Sequence, residues 1–295
     1  MSSLDRRRFL QASAALGGAL ISSGIGRATR SAPVRIDPPA VDRVVVREIT
    51  DNQHNVALRP LERPGLTVQR IGFPAAAEGK TLESEWGLAL QIESTNGHES
   101  RRYLLDFGFT PEVYANNIRL MNIDPAGVDA LILSHGHFDH YGGLIGLLEA
   151  HRAQMRRDLR LYTGGEDQFC HRFFRNPDGS FADFGTLDRG TLWTLNVEAV
   201  LSEDPIVIEG HAFTTSTVPR TSIERVLPQT WVEYGIRDGL GCDANAYINH
   251  HFTATSWPAS RSRTSIATSM PPVSGSATAG WWSSARAGMP ASSTR

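Results

Sequence analysis

Lysine is almost absent from this chain: Lys80 is the only one, and the other basic residues are arginines. The sequence holds 29 basic and 31 acidic residues, for a formal net charge of −2. A balance so close to neutral argues against a general nucleic-acid-binding protein. A long apolar run is also lacking near the N-terminus, where the segment 12–21 is too short and too rich in alanine for a permanent membrane span. We therefore expect neither nucleic-acid binding nor stable membrane insertion.

Cysteine is scarce as well, with only Cys170 and Cys242. Two cysteines do not make a disulfide framework, and neither has the spacing of a thiolate metal site. Outside the cytoplasm the two could pair. The expectation from the sequence is two unpaired, partly buried thiols.

The end of the chain lacks Asp, Glu and Lys altogether, from Thr253 to Arg295. Serine, threonine and alanine dominate this segment, a composition typical of a low-complexity disordered tail. Three of the six tryptophans also lie here, at positions 257, 281 and 282, and disordered tails usually lack tryptophan. The composition is therefore unusual for either a folded segment or a disordered one.

The sequence pattern at the N-terminus is typical of an export signal. Arg6-Arg7-Arg8-Phe9-Leu10-Gln11 precedes the weakly apolar run, and small residues follow as far as Gly26. This pattern resembles a twin-arginine signal, with Asp5 where serine or threonine is more usual. We expect a mature protein that begins between Arg27 and Ala32 and is periplasmic or extracellular.

The segment with the highest density of potential metal ligands is His135-Gly136-His137-Phe138-Asp139-His140, in which four side chains can bind metal. A strand-like run, 128–133, precedes it, and a helical run, 141–150, follows. The motif is therefore expected at the C-terminal end of a buried strand, where α/β folds present reactive groups. In an extended turn His135 and His137 point the same way and can hold one ion. Asp139 and His140 can turn toward a second.

Neutral imidazole and carboxylate are the ligands that catalytic zinc prefers, although ligand type alone leaves manganese or iron open. The sequence thus predicts a centre for two divalent ions, zinc by default. The alternative interpretation of the motif is a histidine-rich surface turn.

Around the motif, strand-like and helix-like segments alternate. Strands are predicted at 44–49, 66–73, 86–92, 102–106, 128–133, 159–162, 197–201, 206–208 and 213–217. Helices are predicted at 111–121, with Thr110 as the N-cap, after the motif, and at 166–174. This density indicates two packed sheets flanked by helices.

With these pieces in place the sequence resembles the metallo-β-lactamase superfamily, and within it the dihydropteridine-ribofuranosylaminobenzene-phosphate synthase-like branch. The resemblance runs from about residue 45 to 252. Besides the metal motif it depends on five features: Asp51-Asn52 after the first strand, Glu85-Trp86-Gly87-Leu88 for the branch's E-H-G-L, Leu104-Leu105-Asp106-Phe107-Gly108 for L-F-D-T-G, Asn116 in the helix before the metal strand, and Thr215-Ser216-Thr217-Val218-Pro219-Arg220 for T-G-x-I-P-R.

The resemblance implies an α/β fold, the four-layer αββα sandwich, and a metal-dependent hydrolase acting on a small molecule with an ester, lactone or phosphoester bond. His135, His137, Asp139 and His140 are the implied metal ligands, and Asp139 the catalytic residue. Asp106 would orient a ligating imidazole by a hydrogen bond, or is only a turn aspartate. Arg220 would bind an anionic group of the substrate, or forms a surface salt bridge. His171 is expected on a short helix, as a solvated or packing histidine rather than a metal ligand, and the pair His250-His251 has no assigned role.

Two family features are missing: a later histidine in a C-S-H-A-G-like segment, and a carboxylate that bridges two ions. When each codon of the tail is started at its printed third base, residues 280–295 can read G-L-V-V-I-S-S-C-G-H-A-G-I-I-N-T. We therefore hypothesise a frameshift near residue 253, which makes the sandwich incomplete at the C-terminus. The chain as printed is then expected to fold poorly and to bind metal weakly.

The predicted organisation is a signal peptide at 1–30, a metallo-β-lactamase-fold domain at 31–252 and an aberrant tail at 253–295. A non-catalytic or inactive family member is the alternative to the hydrolase. A redox member with a di-iron site is disfavoured, because such proteins typically carry glutamate where His137 stands.

Overall fold

The computed structural model describes residues 34–53, 55, 57–70, 79–215 and 229–243, and the backbone of 281–282 and 284–285. The chain divides into two units, 1–33 and 34–295. The export signal, Arg220, the pair His250-His251 and nearly all of the tail therefore lie outside the described residues. The predictions made for them stay predictions.

Short strands outnumber helices in the described part. The helices are α1 Pro111–Leu120, α2 Phe138–Tyr141, α3 Leu144–His151 and α4 Arg189–Thr194, with 3-10 turns at Pro125–Gly127, Arg152–Gln154 and Glu166–Phe169. The strands are β1 Ala40–Val41, β2 Arg43–Thr50, β3 Leu61–Arg63, β4 Leu66–Val68, β5 Ala89–Asn96, β6 Glu99–Leu105, β7 Ala130–Ile132, β8 Arg160–Thr163, β9 His171–Arg175, β10 Phe181–Gly185, β11 Glu198–Leu201, β12 Val207–Ile208, β13 Ala212–Thr214, β14 Thr230–Glu233, β15 Gly235–Arg237, β16 Leu240–Cys242, β17 Trp281–Trp282 and β18 Ser284–Ala285.

A six-stranded mixed sheet organises the fold, in the order β11-β8-β7-β6-β5-β2. Strands β2, β5 and β6 pair antiparallel, whereas β6, β7, β8 and β11 pair parallel. Leu105 pairs with Ile132, and Ile132 with Tyr162, so these parallel strands end at the same edge. Side chains that follow β6 and β7 are therefore brought together at that edge.

Apolar side chains cover both faces of this sheet. On one face Leu104, Leu131 and Leu161 are fully buried in the larger core, which also takes residues from α1, α3 and α4. On the other face Tyr103 and Ile132 belong to a smaller cluster that includes Ile208 of β12. Each parallel strand directs apolar side chains to both faces of the sheet, so both faces are covered. This is the pattern of a buried parallel sheet.

A second sheet has three strands in the order β10-β9-β14. All three strands lie in the sequence between the metal motif and residue 233. Its central strand β9 begins directly after the 3-10 turn Glu166–Phe169. Cys170, between the turn and the strand, forms a disulfide with Cys242 at the end of β16. Both cysteines are fully buried.

Several sequence predictions are confirmed. The α/β class, the strand at 44–49, the strand before the motif and the helix α1 are all present, and Thr110 caps α1 through its side chain by accepting from the Val113 N–H.

None of the helices in the described ranges is long and apolar enough to cross a membrane.

Two predictions are wrong. The segment 166–174 is a 3-10 turn followed by strand β9 rather than a helix, because its alternating side chains pair in a sheet with β10 and β14. The two cysteines are not free thiols, because the fold places them with their Cα atoms 4.5 Å apart although 72 residues separate them. Sequence spacing carries no information about that proximity.

Candidate metal centre

The metal motif forms the turn between β7 and α2. Gly136 lies against the 3-10 turn Glu166–Phe169: its N–H donates to the Gln168 side chain at 2.8 Å. A Cβ atom at this position would collide with the Gln168 carbonyl oxygen. Only glycine therefore allows the two turns to touch, and this contact sets where the flanking histidines lie.

His135 and His137 face each other across Gly136. Their Nε2 and Nδ1 atoms are 3.0 Å apart. Burial holds the pKa of His135 well below its ordinary value, and repulsion from Arg172 and from the protonated forms of His140 and His137 acts in the same direction. Burial, then Arg172 and His140, lower the pKa of His137 to about 4. Both imidazoles are thus neutral at pH 7, which is the form that binds metal.

His140 is anchored from behind by Asp106, at the end of β6. Its Nδ1 is 2.6 Å from Asp106 Oδ2. Burial lowers the pKa of His140, but the hydrogen bond and charge of Asp106, together with the charge of Asp139, outweigh it and raise the pKa above its usual value. Asp106, for which the sequence predicts a hydrogen bond to an unspecified imidazole, therefore contacts the ring of His140.

Asp106 itself is fully buried, and its backbone has a positive φ of 58°. Its carboxylate accepts from the Ser134 N–H and the Ser134 hydroxyl, each at 2.7 Å. Ser134 Oγ also lies 3.0 Å from His135 Nδ1. One carboxylate thus fixes the start of the motif turn and its last imidazole.

Asp139 lies beside His140, with its Oδ2 3.6 Å from His140 Nε2. Its backbone carbonyl accepts from Leu88 N at 3.3 Å. Gly87 packs against the same carbonyl, and a Cβ there would collide with it. The segment before β5 therefore packs on the motif at Asp139, whereas the turn that contains Gln168 packs on it at Gly136.

The donor atoms form two pairs, His135 with His137 and His140 with Asp139. Ligands on a tetrahedral zinc ion at Zn–N distances of 2.0–2.1 Å are roughly 3.3 Å apart, close to the separation of the first pair. Within the described residues no three His, Cys, Asp or Glu side chains are arranged to hold one ion. The residues fit a divalent metal in chemistry and pairwise spacing, and each ion would need further ligands.

A buried arginine near this site was missed in the sequence. Arg172 on β9 is 3 % exposed; its Nη2 donates to the Asp167 carbonyl at 2.7 Å, and its Nε has no hydrogen-bond partner. Burial, only partly offset by Asp167, lowers its pKa. No sequence signal marks it, because an arginine in an alternating strand usually points to solvent. His171, its neighbour, pairs with Asp183 at 2.6 Å and is on a strand rather than on the expected helix.

Comparison with known proteins identifies the segment that carries this centre. The family model described as "Metallo-beta-lactamase superfamily" matches residues 92–217. A curated protein of Methanocaldococcus jannaschii, named 7,8-dihydropterin-6-methyl-4-(beta-D-ribofuranosyl)-aminobenzene-5'-phosphate synthase, is 31 % identical over 138 residues. The match covers 46 % of this chain and 45 % of that relative, so it spans about half of the relative's length.

Several solved structures are distantly similar to this chain. Tm1679, titled a metal-dependent hydrolase of the beta-lactamase superfamily, has 16 % identity and a TM-score of 0.41, covering 67 % of this chain and 58 % of that one. The metallo-β-lactamase MIM-1 from Novosphingobium pentaromativorans has 17 % identity and a TM-score of 0.28, covering 44 % and 45 %. A diphosphatase of the PhnP family has 15 % identity and a TM-score of 0.30, covering 56 % of each. The resemblance stated from the motifs is confirmed: residues 92–217 of this chain match the model of the metallo-β-lactamase superfamily, and a relative from the predicted branch is 31 % identical.

Proposed function

We propose that this protein is a metal-dependent hydrolase that cleaves an ester, lactone or phosphoester bond of a small molecule. The observation that carries the proposal is the pairing of four donor side chains in the turn after β7, backed by the buried carboxylate of Asp106 at the end of β6. In this proposal His135 and His137 hold one ion, and Asp139 with His140 contributes to a second. Zinc is the expected metal, with manganese or iron as the other candidates.

A bound divalent ion would supply Lewis-acid chemistry and lower the pKa of the water bound to it to about 7. The chain's own part is to prepare the donors. Asp106 keeps the Nδ1 proton of His140 in place, which leaves the Nε2 lone pair directed toward Asp139. Ser134 does the same for His135 through its hydroxyl group.

Asp139 is the proposed catalytic residue. Its carboxylate is 16 % exposed and lies beside the His140 ring, so a water molecule can reach it while most bulk solvent is excluded. There it would orient the attacking water and accept a proton from it. Arg220, which lies outside the described residues, remains the proposed partner for an anionic group of the substrate. The phosphate in the relative's name makes phosphoesters the first substrates to test.

The test is hydrolysis and metal content measured on the same preparations. Purified full-length chain is loaded with zinc, analysed for bound metal, and assayed with phenyl acetate, a homoserine lactone and bis(4-nitrophenyl) phosphate. Asp139→Asn should lower turnover at least 100-fold, and His137→Ala should also lower zinc content. His98→Ala changes an exposed histidine in the β5–β6 turn and should alter neither quantity. Turnover that is unchanged in Asp139→Asn contradicts the proposal.

A non-catalytic protein with the same fold is the second candidate. It is favoured by the lack of any three-ligand group among the described side chains. Under this alternative, neither the printed chain nor one with its reading frame restored after residue 252 hydrolyses any of the three substrates. Turnover in the restored chain alone would support the hydrolase and the frameshift together.

We also propose that the protein is exported by its segment 1–30 as a folded, metal-loaded chain. Replacing Arg6 and Arg7 by lysine should then leave the protein in the cytoplasm, whereas the same change at Arg101 and Arg102 should not. Equal export of both variants would contradict a twin-arginine route.

A further inference from the structure

An exposed tryptophan lies beside the candidate metal centre. Trp86 is 61 % exposed, an unusual position for the largest apolar side chain. The next residue, Gly87, packs directly on the backbone of Asp139. The indole is therefore attached to the same segment that presses on the motif.

The segment that carries Trp86 is held by several hydrogen bonds. Glu85 accepts from the Phe109 N–H at 2.8 Å, the Thr110 N–H at 2.9 Å and the Thr110 hydroxyl at 2.7 Å. On the other side Gly87 donates to the Asn52 side chain at 2.9 Å. Its φ of +133° is accessible essentially only to glycine. Trp86 is thus fixed at both flanking residues before any ligand binds.

A row of aromatic rings connects this tryptophan to the motif. The Trp86 and Phe109 rings are stacked, with centroids 6.5 Å apart and planes at 14°. Phe109 in turn meets Phe138 edge-on at 4.9 Å. Phe138 is the residue between His137 and Asp139. The row therefore leads from an exposed ring to the residues of the candidate centre.

We propose that Trp86 is a stacking platform for a planar aromatic group of the substrate, so that the site selects aryl over alkyl esters. The inference rests on the proposed function only in assuming that the scissile group lies at the histidines. A fixed, exposed indole gains most from a flat ring, because offset stacking adds to the burial of apolar area. A saturated ring of equal size buries similar area but lacks the stacking contribution. Preorganisation of Trp86 reduces the entropy lost on binding.

The test compares two probes that differ only in the ring, phenyl phosphate and cyclohexyl phosphate. Their affinities for the zinc-loaded full chain are measured by isothermal titration. The wild-type protein should bind phenyl phosphate roughly three- to tenfold more tightly. Trp86→Ala should abolish the preference, and Trp86→Phe should keep most of it. Trp193→Ala is the matched control, because Trp193 on α4 is also exposed, at 83 %, and should leave the preference unchanged.

Three results would overturn the platform: equal affinities in the wild-type protein, a preference that survives Trp86→Ala, or no binding of either probe. Near-identical circular dichroism of wild type and Trp86→Ala shows that the variant is folded, and Trp86→Phe provides a second, milder change. Hydrolysis is measured separately. A ring preference that depends on Trp86 without turnover supports the platform and contradicts the hydrolase. Turnover without a ring preference supports the hydrolase and contradicts the platform.

Discussion

Asp106 Oδ2 lies 2.6 Å from His140 Nδ1, and 34 residues of chain separate the two. The contact exists because β6 and β7 are parallel neighbours that end at the same edge of the sheet. The same carboxylate also accepts both hydrogen bonds of Ser134. Since Asp106 is fully buried, removing its charge leaves the donors around it without a partner.

Asp106→Asn should therefore weaken zinc binding by about 10- to 100-fold, the range typical of residues that orient a metal ligand. The asparagine amide has a similar shape but cannot accept all three hydrogen bonds. Zinc affinity is measured by competition with a chromogenic chelator. Asp124→Asn is the control, because Asp124 is exposed and only caps a 3-10 turn. Equal affinities of the two variants would show that Asp106 is only a turn aspartate.

Acid should destabilise the metal-free protein between pH 6.5 and pH 4. The folded pKa of His137 is about 4, below the ordinary 6.5, so in this window the unfolded chain binds a proton that the folded protein does not. Its contribution is fully present above pH 6.5 and is lost as the pH falls, by about 3 kcal/mol in total. His135 acts in the same direction. His140, whose pKa is raised, acts in the opposite one, with stability that is lost as the pH rises.

Urea unfolding with EDTA present, at several pH values from 4.5 to 7.5, measures this effect. His137→Gln cannot titrate and should show a flatter dependence than the wild-type protein. His98→Gln, at an exposed turn, should leave the dependence unchanged. Parallel curves for the wild type and His137→Gln would contradict the lowered pKa.

The Cys170–Cys242 disulfide should contribute about 4 kcal/mol to the free energy of unfolding, as expected for a cross-link that closes a loop of 72 residues. Cys170→Ala with Cys242→Ala should lower the urea midpoint accordingly. The double variant should not respond to reductant, whereas the wild-type protein should become equally unstable when reduced under denaturing conditions. A wild-type midpoint that is insensitive to reduction would show that the cysteines are not paired.

Gly87→Ala should destabilise the protein by at least about 2 kcal/mol more than Gly97→Ala. Both glycines have positive φ, but a Cβ at Gly87 collides with the Asp139 carbonyl, and one at Gly97 meets nothing within 4 Å. Gly97→Ala therefore carries only the backbone cost of about 1–2 kcal/mol. The two free energies of unfolding are compared in urea. Similar values would mean that the 85–88 segment can move away from the motif.

The gene's nucleotide sequence after codon 252 should contain a second open frame that encodes G-L-V-V-I-S-S-C-G-H-A-G or a close variant. A chain with that frame restored should bind zinc at a higher ratio per molecule than the printed chain, because it regains a histidine ligand. Metal analysis of both chains after dialysis gives the ratio. A shifted frame without such a peptide, or equal metal content, would eliminate the frameshift.

Local sequence patterns were enough to predict the motif, its position after a buried strand, and the resemblance to the metallo-β-lactamase superfamily. Those follow from local information: ligand spacing in His135–His140, the apolar run before it, and the proline and threonine that start α1. The sequence also indicated Asp106 as a partner for an imidazole, through the likeness of its segment to a family pattern.

Only the tertiary structure decided which contacts those residues make. That Asp106 reaches His140, that Cys170 meets Cys242, and that Arg172 is buried near the histidines all depend on strand order and register. The position of the exposed Trp86 ring beside the candidate centre likewise depends on the packing of Gly87 against Asp139. Contacts between residues far apart in the chain arise from packing, which no local pattern encodes.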